Sequence, residues 1–186
     1  MNFQKPKEVL VVLVQQVKIN IMSVVAVKVE KNKITIGADS ILVNGYTQEK
    51  DKMAKLFQNE WAVVGDVGEA QEGALFQIFT KTRKPREASV EALTEFLFEF
   101  YQWKKEKTES TELVNDYIIV YDGKAFLVEK FYVKEITDYM AIGAGMDFAL
   151  AALYLGSSVQ DAIKTACHLS ILCEEPVNII TVSKSN

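Results

Sequence analysis

Three residues at equal spacing could do chemistry together. Ser23 offers a hydroxyl, Asp39 a carboxylate sixteen positions on, and Lys55 an amine sixteen beyond that. A serine hydroxyl is a weak nucleophile at neutral pH and needs a base within hydrogen-bond reach. An α-amine, with an unperturbed pKa of about 7.7–8.0, is neutral often enough near pH 7 to take that proton, directly or through a water. An N-terminal Ser23 would therefore carry its own base. A cationic Lys55 nearby would lower the amine's pKa and stabilise charge developing at the attacking oxygen. Asp39 would keep that lysine charged and oriented. One condition is attached: the sequence opens at Met1, so Ser23 has a free amine only if the Met22–Ser23 bond is opened or never made.

Residues 1–22, MNFQKPKEVLVVLVQQVKINIM, are expected to be a leader ahead of a single domain over 23–186. Lys5 and Lys7 before an apolar run at 9–14 faintly resemble a secretory signal, but the run is short and no small-residue cleavage site follows. It also falls far short of the ~20 residues of a membrane-spanning helix. Three readings stand: a pro-segment removed on maturation, an upstream extension before a true start at Met22, or an extra strand.

Composition narrows the classes. A chain of 186 residues can bury about 70% of the surface it exposes unfolded. Apolar residues make up 49% and charged residues 25%, which excludes disordered and collagen-like chains. A formal net charge of −4 gives no footprint for nucleic acid or an anionic membrane, so neither is expected as a partner. Two cysteines, Cys167 and Cys173, are too few for a disulfide scaffold and do not form a zinc-ligand pattern with the single histidine, His168. A cytoplasmic protein without cofactor or metal is expected.

The elements that must position the trio follow from periodicity. Val25, Val27 and Val29, then Ile34, Ile36 and Ala38, predict a hairpin with one buried face, Asp39 closing its second strand. An irregular segment around Asn44 and Gly45 leads to Lys55. A strand over 61–65 runs into a turn at 65–68. Helices are predicted over 69–80, with Ala70, Ala74, Leu75, Ile78 and Phe79 inward, and over 90–104, with Leu93, Phe96, Leu97, Phe100 and Trp103 inward. Residues 104–111 read as an exposed loop, 117–128 as a hairpin around Asp122-Gly123, and 140–143 as a strand. A helix over 146–155 ends at Gly156. Ser158 and Asp161 form a capping box for a helix over 159–172, stopped by Pro176, and 177–182 closes as a strand. Strands and helices come in groups, which argues for sheets with helices outside rather than βαβ alternation.

The blocks SVVAVKVEKNKITIGADS, KMAKLF, VVGDVG and AIGAGMDFALAAL, in that order, resemble the proteasome β-subunit family, HslV above all. The resemblance covers about 23–182. It implies an α+β fold, the four-layer αββα sandwich of N-terminal nucleophile hydrolases, and peptide-bond hydrolysis inside stacked homo-oligomeric rings. Leader autoprocessing, polypeptide substrates and an AAA+ ATPase partner are implied with it. Ser23, Asp39 and Lys55 fall on the catalytic positions, and Gly68, by its place in the glycine turn, is the candidate oxyanion donor. Consecutive glycines are usual there, whereas this chain has Gly68-Glu69.

Other departures matter. Serine replaces the family's usual threonine and lacks the γ-methyl that stiffens χ1. Ala144 stands where a serine is common, and Ser170 and Cys173 stand where proteasome subunits carry an aspartate and a serine. Taken singly, Asp39 also suits a turn, Lys55 is one lysine beside Lys50 and Lys52, and Gly65 and Gly68 suit a bend. The functional classes are thus a peptidase, an inactive subunit on the same fold, or an amidohydrolase acting on a small amide.

Overall fold

The computed structural model describes residues 22–44, 47–50, 55–108 and 110–184. The expectations for the leader and for Gly45 lie outside the described residues. β1 (Val25–Val29) and β2 (Lys33–Ala38) form the predicted antiparallel hairpin, with Val25 opposite Ala38. β3 (Ile41–Asn44) and β4 (Thr47–Lys50) pair with each other, so Asn44 ends a strand rather than lying in irregular chain. β5 (Leu56–Gln58) and β6 (Ala62–Val67) follow, then helices α1 (Ala70–Thr82) and α2 (Val90–Lys107). β7 (Asp116–Tyr121) and β8 (Lys124–Glu129) make the second predicted hairpin around Asp122-Gly123; β9 (Tyr132–Ile136) and β10 (Tyr139–Ile142) come next. Helices α3 (Met146–Tyr154) and α4 (Val159–Leu169) precede β11 (Asn178–Ser183).

One sheet has the order β10-β1-β2-β11 and the other β5-β6-β7-β8-β9. Three apolar layers cement them. Phe76, Phe79, Phe96 and Phe100 from α1 and α2 pack on Val64, Tyr117 and Phe126 of the five-stranded sheet. Val25, Val27 and Ile36 meet Val63, Val67 and Ile118 between the sheets. Val24 and Ala26 meet Ala149, Ile163 and Ala166 of α3 and α4. The result is the expected four-layer αββα sandwich, and it corrects the one-faced hairpin. Val24 to Val27 are all fully buried, because β1 has a sheet on one side and helices on the other.

Other corrections have clear causes. β6 runs through Val67, so the turn is confined to Gly68 and its successor. α1 buries Glu72, Gly73, Phe76, Phe79 and Thr80 and leaves Ile78 exposed, a face rotated from the apolar reading because a buried carboxylate occupies part of it. α2 continues to Lys107, and Lys104 is buried beneath it rather than in an exposed loop, held in an ion pair with Glu72. α4 ends at Leu169, where the Ser170 amide caps the Ala166 carbonyl, six residues before Pro176. Its predicted N-terminal cap holds, the Ser158 hydroxyl accepting from Asp161 N at 3.1 Å.

Candidate active site

The end of the β1–β2 hairpin brings Ser23 and Asp39 together. Asp39 N donates to Val24 O at 3.1 Å, and Val24 N returns a bond to Asp39 Oδ1 at 3.0 Å. Oδ2 accepts from Ile41 N at 3.3 Å and Glu174 N at 3.1 Å. Asp39 is 1% exposed, so these backbone donors replace the water a carboxylate needs. Lys55, entering from the start of β5, donates Nζ to Oδ1 at 2.8 Å. Burial lowers its pKa from the usual lysine value, against the opposing pull of Asp39 and, more weakly, of Cys173 and Asp66. A single carboxylate oxygen thus joins the lysine to the backbone directly after Ser23.

Ser23 is buried and has φ +98°, a conformation rarely adopted by a side chain with a Cβ. Its N is here a peptide nitrogen and donates to Leu172 O at 2.8 Å, while its O accepts from Gly145 N at 3.1 Å. Gly143 must be glycine: its φ is +92°, and a Cβ there would lie 2.4 Å from Ser23 O. The same Cβ would lie 3.2 Å from Val67 Cγ1, so the end of β6 also packs against Gly143.

Gly68 directly follows β6. Its φ of +136° and the 2.2 Å approach of a Cβ to Asn115 Oδ1 exclude any other residue without rearrangement. Gly68 therefore directly follows Val67, whose side chain faces Gly143, and is exposed to solvent.

Of the departures noted in the sequence, Ala144 sits between Gly143 and Gly145, where it has no polar side chain to offer. Ser170 ends α4, its hydroxyl accepting from Leu172 N at 3.2 Å. Cys173 is buried, and its thiol lies against the Ser23 backbone and the Ser170 hydroxyl. Burial, with a smaller contribution from the Asp39 charge, pushes the thiol up to about 11, so it is a neutral neighbour rather than a nucleophile. His168 is exposed on α4 with Nδ1 against Lys164 O at 3.0 Å. Among the described residues no cluster of His, Cys, Asp and Glu could hold a metal. A cleft of about 400 Å³ between β2, β11 and the start of α4, lined by Lys28, Lys33, Ser158 and Thr181 among others, contains none of the four candidate residues.

Sequence reasoning passed over Asp66, Glu72, Lys104 and Asn115. Asp66 N donates to Lys55 O at 2.8 Å, and its carboxyl is pushed up to about 7 by burial, despite Asn115 and Lys55. Hydropathy carries no signal for these groups, since each is a polar residue that pattern alone assigns to the surface.

This fold, with a buried Lys–Asp pair beside the start of β1, is of the proteasome-like αββα class. The solved structures that share it give particulars. Thiobacillus denitrificans BPH in complex with Epoxomicin superposes with a TM-score of 0.80 at 19% identity, covering 88% of this chain and all of that one. A second structure of Thiobacillus denitrificans BPH gives 0.77 at 20%, over 87% and 98%. Eukaryotic HslV from Trypanosoma brucei gives 0.67 at 16%, over 86% and 99%. No protein-family model and no curated protein matches the sequence.

Proposed function

We propose that the chain is an HslV- or proteasome-like peptidase subunit that uses Ser23, once N-terminal, as its nucleophile. The observation that carries this reading is Asp39 Oδ1, which accepts from both Lys55 Nζ and Val24 N and so ties the cation to the residue beside the nucleophile. The free Ser23 amine takes the hydroxyl proton as Oγ attacks a peptide carbonyl, and then returns it to the leaving amine. Lys55 disfavours protonation of that amine and stabilises the negative charge at Oγ, while the Gly68 amide serves the carbonyl oxygen. Water then hydrolyses the acyl ester. Leu172 O, already the acceptor for Ser23 N, would hold the amine after the leader is gone.

Residues 1–22 form the leader and 23–186 the domain in this reading. If the leader is removed in cis, Ser23 Oγ attacks the Met22 carbonyl. The C–N bond breaks as the ester forms, the hydroxyl proton passes to the leaving nitrogen to give the free Ser23 amine, and water then hydrolyses the ester, releasing Met22 as a carboxylate with the hydroxyl restored. The positive φ at Ser23 favours opening of that peptide bond. Stacked rings of this chain would cover Phe148, Tyr154, Leu155 and Leu169, apolar side chains that α3 and α4 leave exposed. An AAA+ ATPase that feeds unfolded polypeptide, in the cytoplasm, completes the proposal.

Intact mass of protein expressed from Met1 and from Met22 tests it, with Ser23→Ala in parallel. A species beginning at Ser23 that cleaves short fluorogenic peptides, and is inert as Ser23→Ala, is the expected result. Leader loss that persists in Ser23→Ala excludes self-processing. Epoxomicin, the ligand of the Thiobacillus denitrificans structure, is a ready probe for binding that depends on Ser23.

A second reading has its own observation. Ala144 and the neutral Cys173 leave the Ser23 nitrogen with a backbone acceptor in place of a polar side-chain network. An inactive structural subunit on this fold would retain residues 1–22 in the assembled protein, and the same mass measurement separates the two. A small-amide substrate would use the same nucleophile and is distinguished by the substrate series.

A further inference from the structure

Asn115 lies just ahead of β7, is 1% exposed, and uses its whole side-chain amide on the turn that follows β6. Nδ2 donates to Asp66 Oδ2 at 3.3 Å and to Glu69 O at 3.0 Å, and Oδ1 accepts from Glu69 N at 2.6 Å. Glu69 is the residue before α1 and makes no side-chain cap of its own, so Asn115 serves this helix end from the segment ahead of β7. Asn115 is itself anchored: its backbone N donates to Glu72 Oε1 at 3.0 Å. Glu72 in turn holds Val114 N at 3.1 Å, Tyr117 Oη at 3.2 Å and the Lys104 ammonium.

We propose that Asn115 is a positioning residue of the active site, clamping residues 66–69 so that the Gly68 amide is held ready for the developing oxyanion. This rests on the reading of Ser23 as nucleophile given above. The argument is one of freedom. Glycine has the widest choice of backbone conformations, and Gly68 is solvent-exposed, so its own chemistry does not fix where its N–H points. The Asn115 side chain holds Asp66, two residues before Gly68, and Glu69, directly after it, and fills the space a Gly68 Cβ would take. An oxyanion donor is effective only when it is oriented before the charge develops. The direction of each bond matters too: both Nδ2 protons are spent on acceptors, which an aspartate of the same shape cannot serve.

The test uses protein beginning at Ser23 and a fluorogenic peptide, with hydrogen exchange read at the Gly68 and Glu69 amides. Asn115→Asp places a carboxylate against Asp66 and the Glu69 carbonyl. It is expected to lower kcat about 100-fold with KM within about threefold, at the lower end of the 10²–10³ lost on removing an oxyanion donor outright. Asn115→Ala is expected to lose about 10–30-fold by the same loosening, and exchange at both amides should accelerate. Adding Asp66→Asn to Asn115→Asp restores a donor facing the new carboxylate and should recover part of the rate. Leu97→Val, a core change in α2 away from the turn, should lower Tm while leaving kcat within about twofold. Faster exchange at 68–69 with kcat unchanged would overturn the clamp and leave the nucleophile assignment standing. Absence of turnover in the parent protein would remove both. If Asn115→Asp does not fold, Asn115→Ala carries the test by the same criteria.

Discussion

Two lysine–carboxylate pairs are buried among the described residues, and they differ in what surrounds them. Lys104 and Glu72 are 5% and 1% exposed, and the carboxylate is shared among Lys104, Val114 N, Asn115 N and Tyr117 Oη. Lys104 also donates to Glu112 O at 2.5 Å. Lys55 is 15% exposed with its partner Asp39 fully buried, and among the described residues its only hydrogen-bond acceptor is Asp39 Oδ1. The first pair spends two of three Lys104 donors and both Glu72 oxygens, and ties α1, α2 and the 112–117 segment together. Among the described residues the second spends one of three Lys55 donors, on a carboxylate oxygen that also holds the residue after Ser23. Charge burial alone does not distinguish the two pairs; the share of each ammonium's donors already spent does.

Breaking each lysine should separate the roles. Lys55→Met is expected to lower kcat about 10³–10⁴-fold, equivalent to about 4–5.5 kcal/mol in the barrier. Stability should fall by only about 1–2 kcal/mol, because three backbone N–H groups remain on Asp39. Lys104→Met leaves Glu72 buried without its cation and should cost about 3–5 kcal/mol in denaturant unfolding. Activity per folded molecule should change far less than in Lys55→Met. If the two variants exchange these signatures, the contrast is wrong.

The next effect concerns pH. Asp66, raised to about 7, binds its proton more tightly folded than unfolded. Its contribution to stability is therefore fully present below about pH 4 and is lost as pH rises to about 7. Asp116, raised to about 6 chiefly by burial, acts with the same sign over a narrower window. Asp66→Asn should flatten the fall in stability between those limits and gain about 1–3 kcal/mol at pH 7.5, measured by denaturant titration across pH. Tyr117→Phe is the smallest change: it removes one of several bonds to Glu72 and should cost about 1 kcal/mol.

What was legible in the sequence follows from the same distinction. Alternation at Val25, Val27, Ile34 and Ile36 gave the hairpin, and ordered blocks put Ser23, Asp39 and Lys55 in one site, where the structure indeed joins Asp39 to Lys55 and to the residue after Ser23. Periodicity could not see that β1 is covered on both faces, since small residues such as Ala26 pack on helices while reading as neutral. It could not see Glu72 or Lys104 as core, because their burial depends on each other across 32 positions. β5 and β9 went unread as short edge strands, one of three residues and the other with the adjacent charges Lys134 and Glu135 breaking its alternation. Gly68 was readable as a turn; that Asn115 dictates its geometry was not, because that contact joins segments 46 or more positions apart.

The central claim is that the Ser23 amine is the base. Turnover of one fluorogenic peptide by protein beginning at Ser23, set against the same protein with Met22 retained by sequence changes that block its removal, tests it most directly. The account predicts hydrolysis only when the amine is free; equal rates from both forms would contradict it.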